Sequence, residues 1–139
     1  MYKVKKIQGF NKPAGQKYNN IKVKKTMTIK RLGDDGTISL ENAEWQFDSK
    51  REYEHFLIFS QDEKDNKIKH YIFKPPRLEL CPSYKEVKLR PAYYHPDHLI
   101  IHHDDRRQYV DSKGFSTAVF QLKQKIVYDR HGIFIEVKR

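Results

Sequence analysis

The chain has a single cysteine, Cys81, among 139 residues. A lone thiol closes no internal disulfide and supplies no CxxC pair, so a disulfide-stapled scaffold and a zinc ribbon are excluded, and Cys81 reads as a reduced structural thiol. No uninterrupted apolar run is long enough to cross a bilayer, and the opening stretch MYKVKKIQGF lacks the apolar middle of a secretion signal. A soluble, intracellular protein without a membrane partner is therefore expected. Glycine-rich phosphate loops are missing as well: GDDG at 33–36 has neither the lysine nor the strand-then-helix setting such a loop needs. The most telling shortage is of acid. Residues 1–33 contain no Asp or Glu but ten Lys and Arg, whereas residues 34–139 carry 18 groups of each sign, so the whole formal excess of +10 belongs to the N-terminal quarter.

What is present suits one domain with one modest core, at 37% hydrophobic and 13% aromatic residues. The basic quarter calls for a polyanion, and a phosphate backbone is the commonest, because each docked Lys or Arg releases condensed counterions. A solvated tail serving solubility is the plainer alternative. Residues 1–20 carry no amphipathic helical stripe, which disfavours an anionic membrane.

Residues 1–18 read as an irregular basic arm punctuated by Gly9, Pro13 and Gly15, and residues 19–139 as the folded domain. In IKVKKTMTIKR, Ile21, Val23, Met27 and Ile29 alternate with Lys22, Lys24, Thr26, Thr28 and Lys30, the period of a half-buried strand whose other face is a lysine row. GDDG supplies a turn and TISLENAEWQF a returning strand, which makes an N-terminal β-hairpin. FDSKREYEHFLIF opens with Asp48 or Ser49 as a cap and runs at helical spacing through Phe59. Then KIKHYIF, RLELCPS, EVKLRPAYY, DHLIIHH and RQYVDSK read as consecutive strands. FSTAVFQLKQKIVYDRHG places Phe115, Val119, Leu122 and Ile126 on one helical stripe, Gly132 stops it, and IFIEV makes a last strand. The predicted class is α/β, a mixed β-sheet flanked by helices.

If residues 97–103 and 107–113 are antiparallel strands turning through His103, Asp104 and Asp105, then Asp97 and Asp111 stand opposite each other. Opposed residues have Cβ atoms roughly 4.5–5.5 Å apart, where like charges repel, so something cationic belongs between them. Lys113 shares the Asp111 face because side chains alternate along a strand. Two facing carboxylates suit magnesium or manganese, and a lysine beside them can orient or deprotonate a water. A surface hairpin whose Asp and Lys merely pair accounts for the same residues. On the first helix, Glu52 projects between Phe56 and Phe59 and so faces inward, either toward a metal or back onto the cap in the box Ser49, Lys50, Arg51, Glu52. His95, His98, His102 and His103 cannot all converge from one strand, which disfavours zinc. Tyr71, Phe73, Tyr93 and Tyr94 suit either a core or base stacking.

The pair Pro96–Asp97 followed by Asp111, Ser112 and Lys113 resembles the signature of the PD-(D/E)XK nuclease superfamily. KYNN, FDSKREYEHFL, LELCPSYKEVKLRPAYYHPDHLI, YVDSKGFSTAVFQLKQK and GIFIEV extend the resemblance, over about residues 17–137, to its small, mostly phage- and prophage-encoded nucleases. Pro96 and His98 depart from it, standing where relatives carry a small residue and an aromatic, and residues 25–43 look like an insertion. The resemblance implies a restriction-endonuclease-like core and a Mg2+- or Mn2+-dependent endonuclease cutting DNA, with branched, Holliday junction-like DNA the favoured substrate. It implies Glu52, Asp97 and Asp111 as metal-binding catalytic acids, Lys113 as the catalytic lysine, a homodimer, and the cytoplasm of a bacterial or phage-infected cell. Lys123 and Lys125 match its basic helix positions, and Lys22, Lys24, Lys25, Lys30 and Arg31 would grip the DNA backbone. A noncatalytic DNA-binding protein retaining the fold is the alternative, and an RNA-directed nuclease a third reading.

Overall fold

A computed structural model describes residues 22–139; the arm of residues 1–18 lies outside them, as does Ile21. The order is β1 (Val23–Leu32), β2 (Ile38–Phe47), α1 (Lys50–Lys64), β3 (His70–Phe73), β4 (Leu78–Cys81), β5 (Ala92–Tyr94), β6 (His98–Ile101), β7 (Arg107–Ser112), α2 (Ala118–His131) and β8 (Ile135–Lys138). The architecture is mixed α/β. Three sheets share it: the β1–β2 hairpin, a two-stranded β4–β5 ladder, and a central sheet in the order β3-β6-β7-β8, antiparallel except between β7 and β8. No helix among the described residues is long and apolar enough to cross a membrane.

The hairpin forms where expected, closed by Gly33–Gly36 with Gly36 at φ 84°, a conformation that glycine adopts without steric cost. Helix α1 starts because the Ser49 hydroxyl accepts from the Glu52 N–H at 3.1 Å. Its buried positions, Glu52, His55, Phe56 and Phe59, follow the i, i+3, i+4, i+7 spacing of a single face. The central sheet is covered on both sides, which is why HYIF and HLII are continuous apolar runs. Neighbouring residues then serve opposite cores. Tyr71, Phe73, Ile100 and Val110 pack with Phe56, Phe59, Ile29 and Phe47 under α1 and the hairpin. Ile72, Leu99, Tyr109 and Ile135 pack with Phe120, Val127, Leu80 and Tyr94 under α2.

Three expectations need correcting. EVKLRPAYY is a strand only at Ala92–Tyr94; Lys85–Val87 forms a 3-10 turn closed by Lys88 at φ 55°. The strands do not all join one sheet, since β4 and β5 pair only with each other. The buried face of α2 is also different: Phe115, Val119 and Leu122 are exposed, and Phe120 and Val127 are buried instead. Both sets have helical spacing, and contact with the sheet decides between them.

Candidate active site

The end of β3, the start of β6, the end of β7 and the first turn of α1 meet at one end of the central sheet's strands. The register His98↔Val110 through Ile101↔Arg107 carries on to set Asp97 against Asp111, as the strand arithmetic requires. Each carboxylate is bonded by the opposite strand's backbone: the Asp97 N–H donates to Asp111 Oδ1 and the Ser112 N–H to Asp97 Oδ2, both at 3.0 Å. These two bonds offset much of the like-charge repulsion. Asp111 is buried, at 3% exposure, and its Oδ2 also accepts from the Tyr94 hydroxyl. Lys113 Nζ lies 3.5 Å from that oxygen and 4.5 Å from the Phe120 ring centroid.

Glu52 reaches the same place from α1. The capping box is only half formed, because Ser49 caps the helix while the Glu52 carboxylate turns inward, 2.9 Å from Lys74 Nζ. Lys74 Nζ is also 2.8 Å from Asp97 Oδ1. An ammonium therefore sits between two of the three predicted acids. Lys74 precedes Pro75 yet has φ 49°, a region that side-chain-bearing residues visit sparsely and at a cost of order 1–3 kcal/mol. The ion pairs to Glu52 and Asp97, together with the Lys74 N–H bond to the Asp97 carbonyl at 2.9 Å, hold it there.

Burial dominates the electrostatics. It pushes the Glu52 carboxyl up to about 7, with Lys74 opposing and Asp97 adding to the rise. An ion pair alone would lower a glutamate, but Lys74 is shared with Asp97 and desolvation outweighs its pull. Burial disfavours the Lys74 ammonium too, yet two carboxylates more than compensate and hold its pKa above the ordinary lysine value. Asp111 is raised by burial and then by Asp97. The buried Glu52 Oε1 has the Lys74 ammonium as its close partner, a charge-assisted contact of 2.9 Å. Among the described residues no three His, Cys, Asp or Glu side chains already surround one point as metal ligands do. The three acids form instead a chain, Glu52 to Lys74 to Asp97 to Asp111.

Beneath this chain, on the opposite face of β7, lies a polar line that sequence reasoning missed. The Tyr71 hydroxyl donates to His98 Nδ1 at 2.6 Å, His98 Nε2–H donates to Ser112 Oγ at 2.7 Å, and the Ser112 hydroxyl donates to His55 Nδ1 at 2.6 Å. The direction follows from Tyr71, whose buried hydroxyl proton would have no acceptor among the described residues in the reverse arrangement. Desolvation keeps His98 neutral, down at about 3, and lowers His55 as well. His98 takes the place expected for an aromatic and packs against Phe59, Phe73 and Tyr71. His102 and His103 bond Gln108 and the Asn66 carbonyl, so the four histidines do not converge. Tyr71, Phe73 and Tyr94 are core residues, and Tyr93 lies under the Arg77 guanidinium at 3.7 Å.

The basic positions are partly spoken for. Lys24 pairs with Glu44 at 2.7 Å, Arg31 with Glu41 at 2.9 Å and Lys30 with Glu63 at 2.9 Å. Lys22 is exposed, Lys25 lies over the Tyr53 ring, and Lys123 and Lys125 are on α2, half-buried and exposed respectively. Lys74 and Arg51 were not singled out by sequence; the available signal for Lys74 was its position just past an apolar strand and before two prolines. No curated protein matches the chain. The model of a family described as proteins of unknown function, DUF1064, matches residues 36–139, three-quarters of the sequence, and the chain belongs to that family.

Proposed function

We propose that this protein is a divalent-metal-dependent endodeoxyribonuclease of the PD-(D/E)XK type, built on a restriction-endonuclease-like core. The supporting observation is the meeting of Glu52, Asp97, Asp111, Lys113 and Lys74 at one end of the sheet's strands. The donor set fits magnesium or manganese. Its ligands are hard carboxylate oxygens, and a cation, the Lys74 ammonium, already lies between Glu52 and Asp97. Glu52, Asp97 and Asp111 would hold the ion, each carboxylate retaining lone pairs beyond those its present donors use. When bound, the metal supplies Lewis-acid stabilisation of charge on the phosphate.

The chain's own residues do the rest. Lys113, whose backbone N–H is pinned to the Lys138 carbonyl at 3.0 Å, presents its ammonium beside Asp111, where it donates to and orients the attacking water. Tyr94 fixes the rotamer of Asp111 from the α2 side, and the Ser112 line fixes the strand from the α1 side. DNA is the polyanion that the basic, acid-free sequence of residues 1–33 suits, branched DNA is the favoured form, and the homodimer belongs to the same reading. The test is incubation with linear, flapped and four-way DNA in Mg2+ or Mn2+, beside Asp111→Ala and Lys113→Ala. Cutting by the wild type, at least about 100-fold slower in both variants, is expected. Undiminished cutting by the variants refutes the assignment, and salt-sensitive binding with no cutting by any of the three favours the noncatalytic alternative.

A further inference from the structure

A cleft of about 410 Å³ opens directly beside this end of the strands, lined by Ser49, Arg51, Lys113, Gly114, Phe115 and Thr117 among others. Its volume falls in the roughly 300–1,000 Å³ range of small-molecule sites. It contains two cations and no acid. Lys113 belongs to the site already described, whereas Arg51 has no carboxylate within ion-pair distance among the described residues, and residues 1–21 contain none to offer. The Arg51 guanidinium lies close against Gly114, where a Cβ would meet Nη1 at 2.5 Å. Ser49 and Thr117 use their oxygens to accept from Glu52 N–H and Phe120 N–H, which leaves each hydroxyl proton free to donate into the cleft. Phe115 is 78% exposed, unusual for so large an apolar side chain in a turn following a buried strand.

A guanidinium without a carboxylate partner among the described residues, free hydroxyl donors and an uncovered aromatic ring together match a nucleotide: phosphate for the first two, base for the third. Interior bases of a duplex are already stacked on both faces and cannot offer one to Phe115. We infer that this cleft binds a single unpaired nucleotide next to the cut, with Arg51 on its phosphate and Phe115 stacked on its base. The substrate class is then DNA with a displaced or single-stranded nucleotide at a junction or flap. This deepens the nuclease reading and rests on it for the position of the cut, although the binding itself needs no metal.

The test is therefore binding in EDTA, where nothing is cleaved. Full-length protein is titrated into a fluorescent single-stranded 12-mer, a flapped duplex carrying 2-aminopurine at the branch, and a blunt duplex of the same sequence. The wild type is expected to bind the first two at least tenfold tighter than the blunt duplex and to quench the 2-aminopurine. Phe115→Ala is expected to abolish the quench and most of that preference. Arg51→Ala should weaken flap binding at least fivefold and lower the salt slope by about one, with Arg51→Lys recovering part of the loss. Quenching and preference unchanged in Phe115→Ala, or equal affinity of the wild type for all three DNAs, overturns the inference. A protein that shows the expected binding but never cuts refutes the nuclease reading alone, and one that cuts with Phe115→Ala indistinguishable in binding refutes this inference alone.

Discussion

Lys74 and Glu52 carry the most specific consequences at the scale of single residues. If the Lys74 ammonium holds the seat a metal takes, then Lys74→Met leaves Glu52 and Asp97 without their shared counter-ion. Removing one partner of a largely buried ion pair costs about 3 kcal/mol, which lowers the metal-free melting temperature by roughly 10 °C. Magnesium should then raise the melting temperature of Lys74→Met by more than it raises that of the wild type. An equal rise in both proteins shows that lysine and metal do not compete. Glu52 sets a pH dependence. Its folded pKa, about 7, lies above the unfolded value near 4.5, so the folded state holds the extra proton and stability falls as pH rises through that window. The loss is about 3 kcal/mol by pH 8 in the absence of metal, and Glu52→Gln lacks it. Metal-free melts of the two proteins between pH 5 and 8 measure the difference; parallel curves contradict the burial of that carboxylate.

Among the elements, the β6–β7 hairpin was legible and α2 was not. Equal spacing of Asp97 and Asp111 from residue 104 fixed their opposition, because the strand period is two and the turn residues His103, Asp104 and Asp105 left one register. Helix α2 carries two apolar sets at helical spacing, and only the position of the sheet selects Phe120 and Val127 over Phe115, Val119 and Leu122. Lys74 escaped notice for a related reason: its role comes from a left-handed backbone that no strand pattern encodes and from acids on two other elements. The Ser112 line was likewise invisible, being a meeting of β3, β6, β7 and α1. It predicts that Ser112→Ala, a loss of one small hydroxyl, strands His98 Nε2 and His55 Nδ1 and destabilises the fold by about 2 kcal/mol in urea unfolding. A change within 0.5 kcal/mol, on the order of an ordinary surface substitution, removes the line from consideration.

At the scale of the whole molecule, charge and chemistry are separated. Three of the five predicted hairpin cations are neutralised by Glu41, Glu44 and Glu63, whereas the sequence of residues 1–21 carries five lysines, Lys3, Lys5, Lys6, Lys12 and Lys17, and no acid. Removing residues 1–21 is therefore expected to weaken DNA binding strongly and to flatten its salt dependence by up to about four in log–log slope, whereas Lys24→Ala changes it by less than one. Fluorescence anisotropy across a salt series reads both; a slope unmoved by the truncation assigns the grip elsewhere. The central claim, that Glu52, Asp97 and Asp111 share one cation, is open to direct observation. Crystals soaked in Mn2+ and measured for anomalous scattering should show a peak at about 2.1 Å from an oxygen of each acid, with Lys74 Nζ displaced from between Glu52 and Asp97. No peak there, with Lys74 still bridging the two carboxylates, contradicts it.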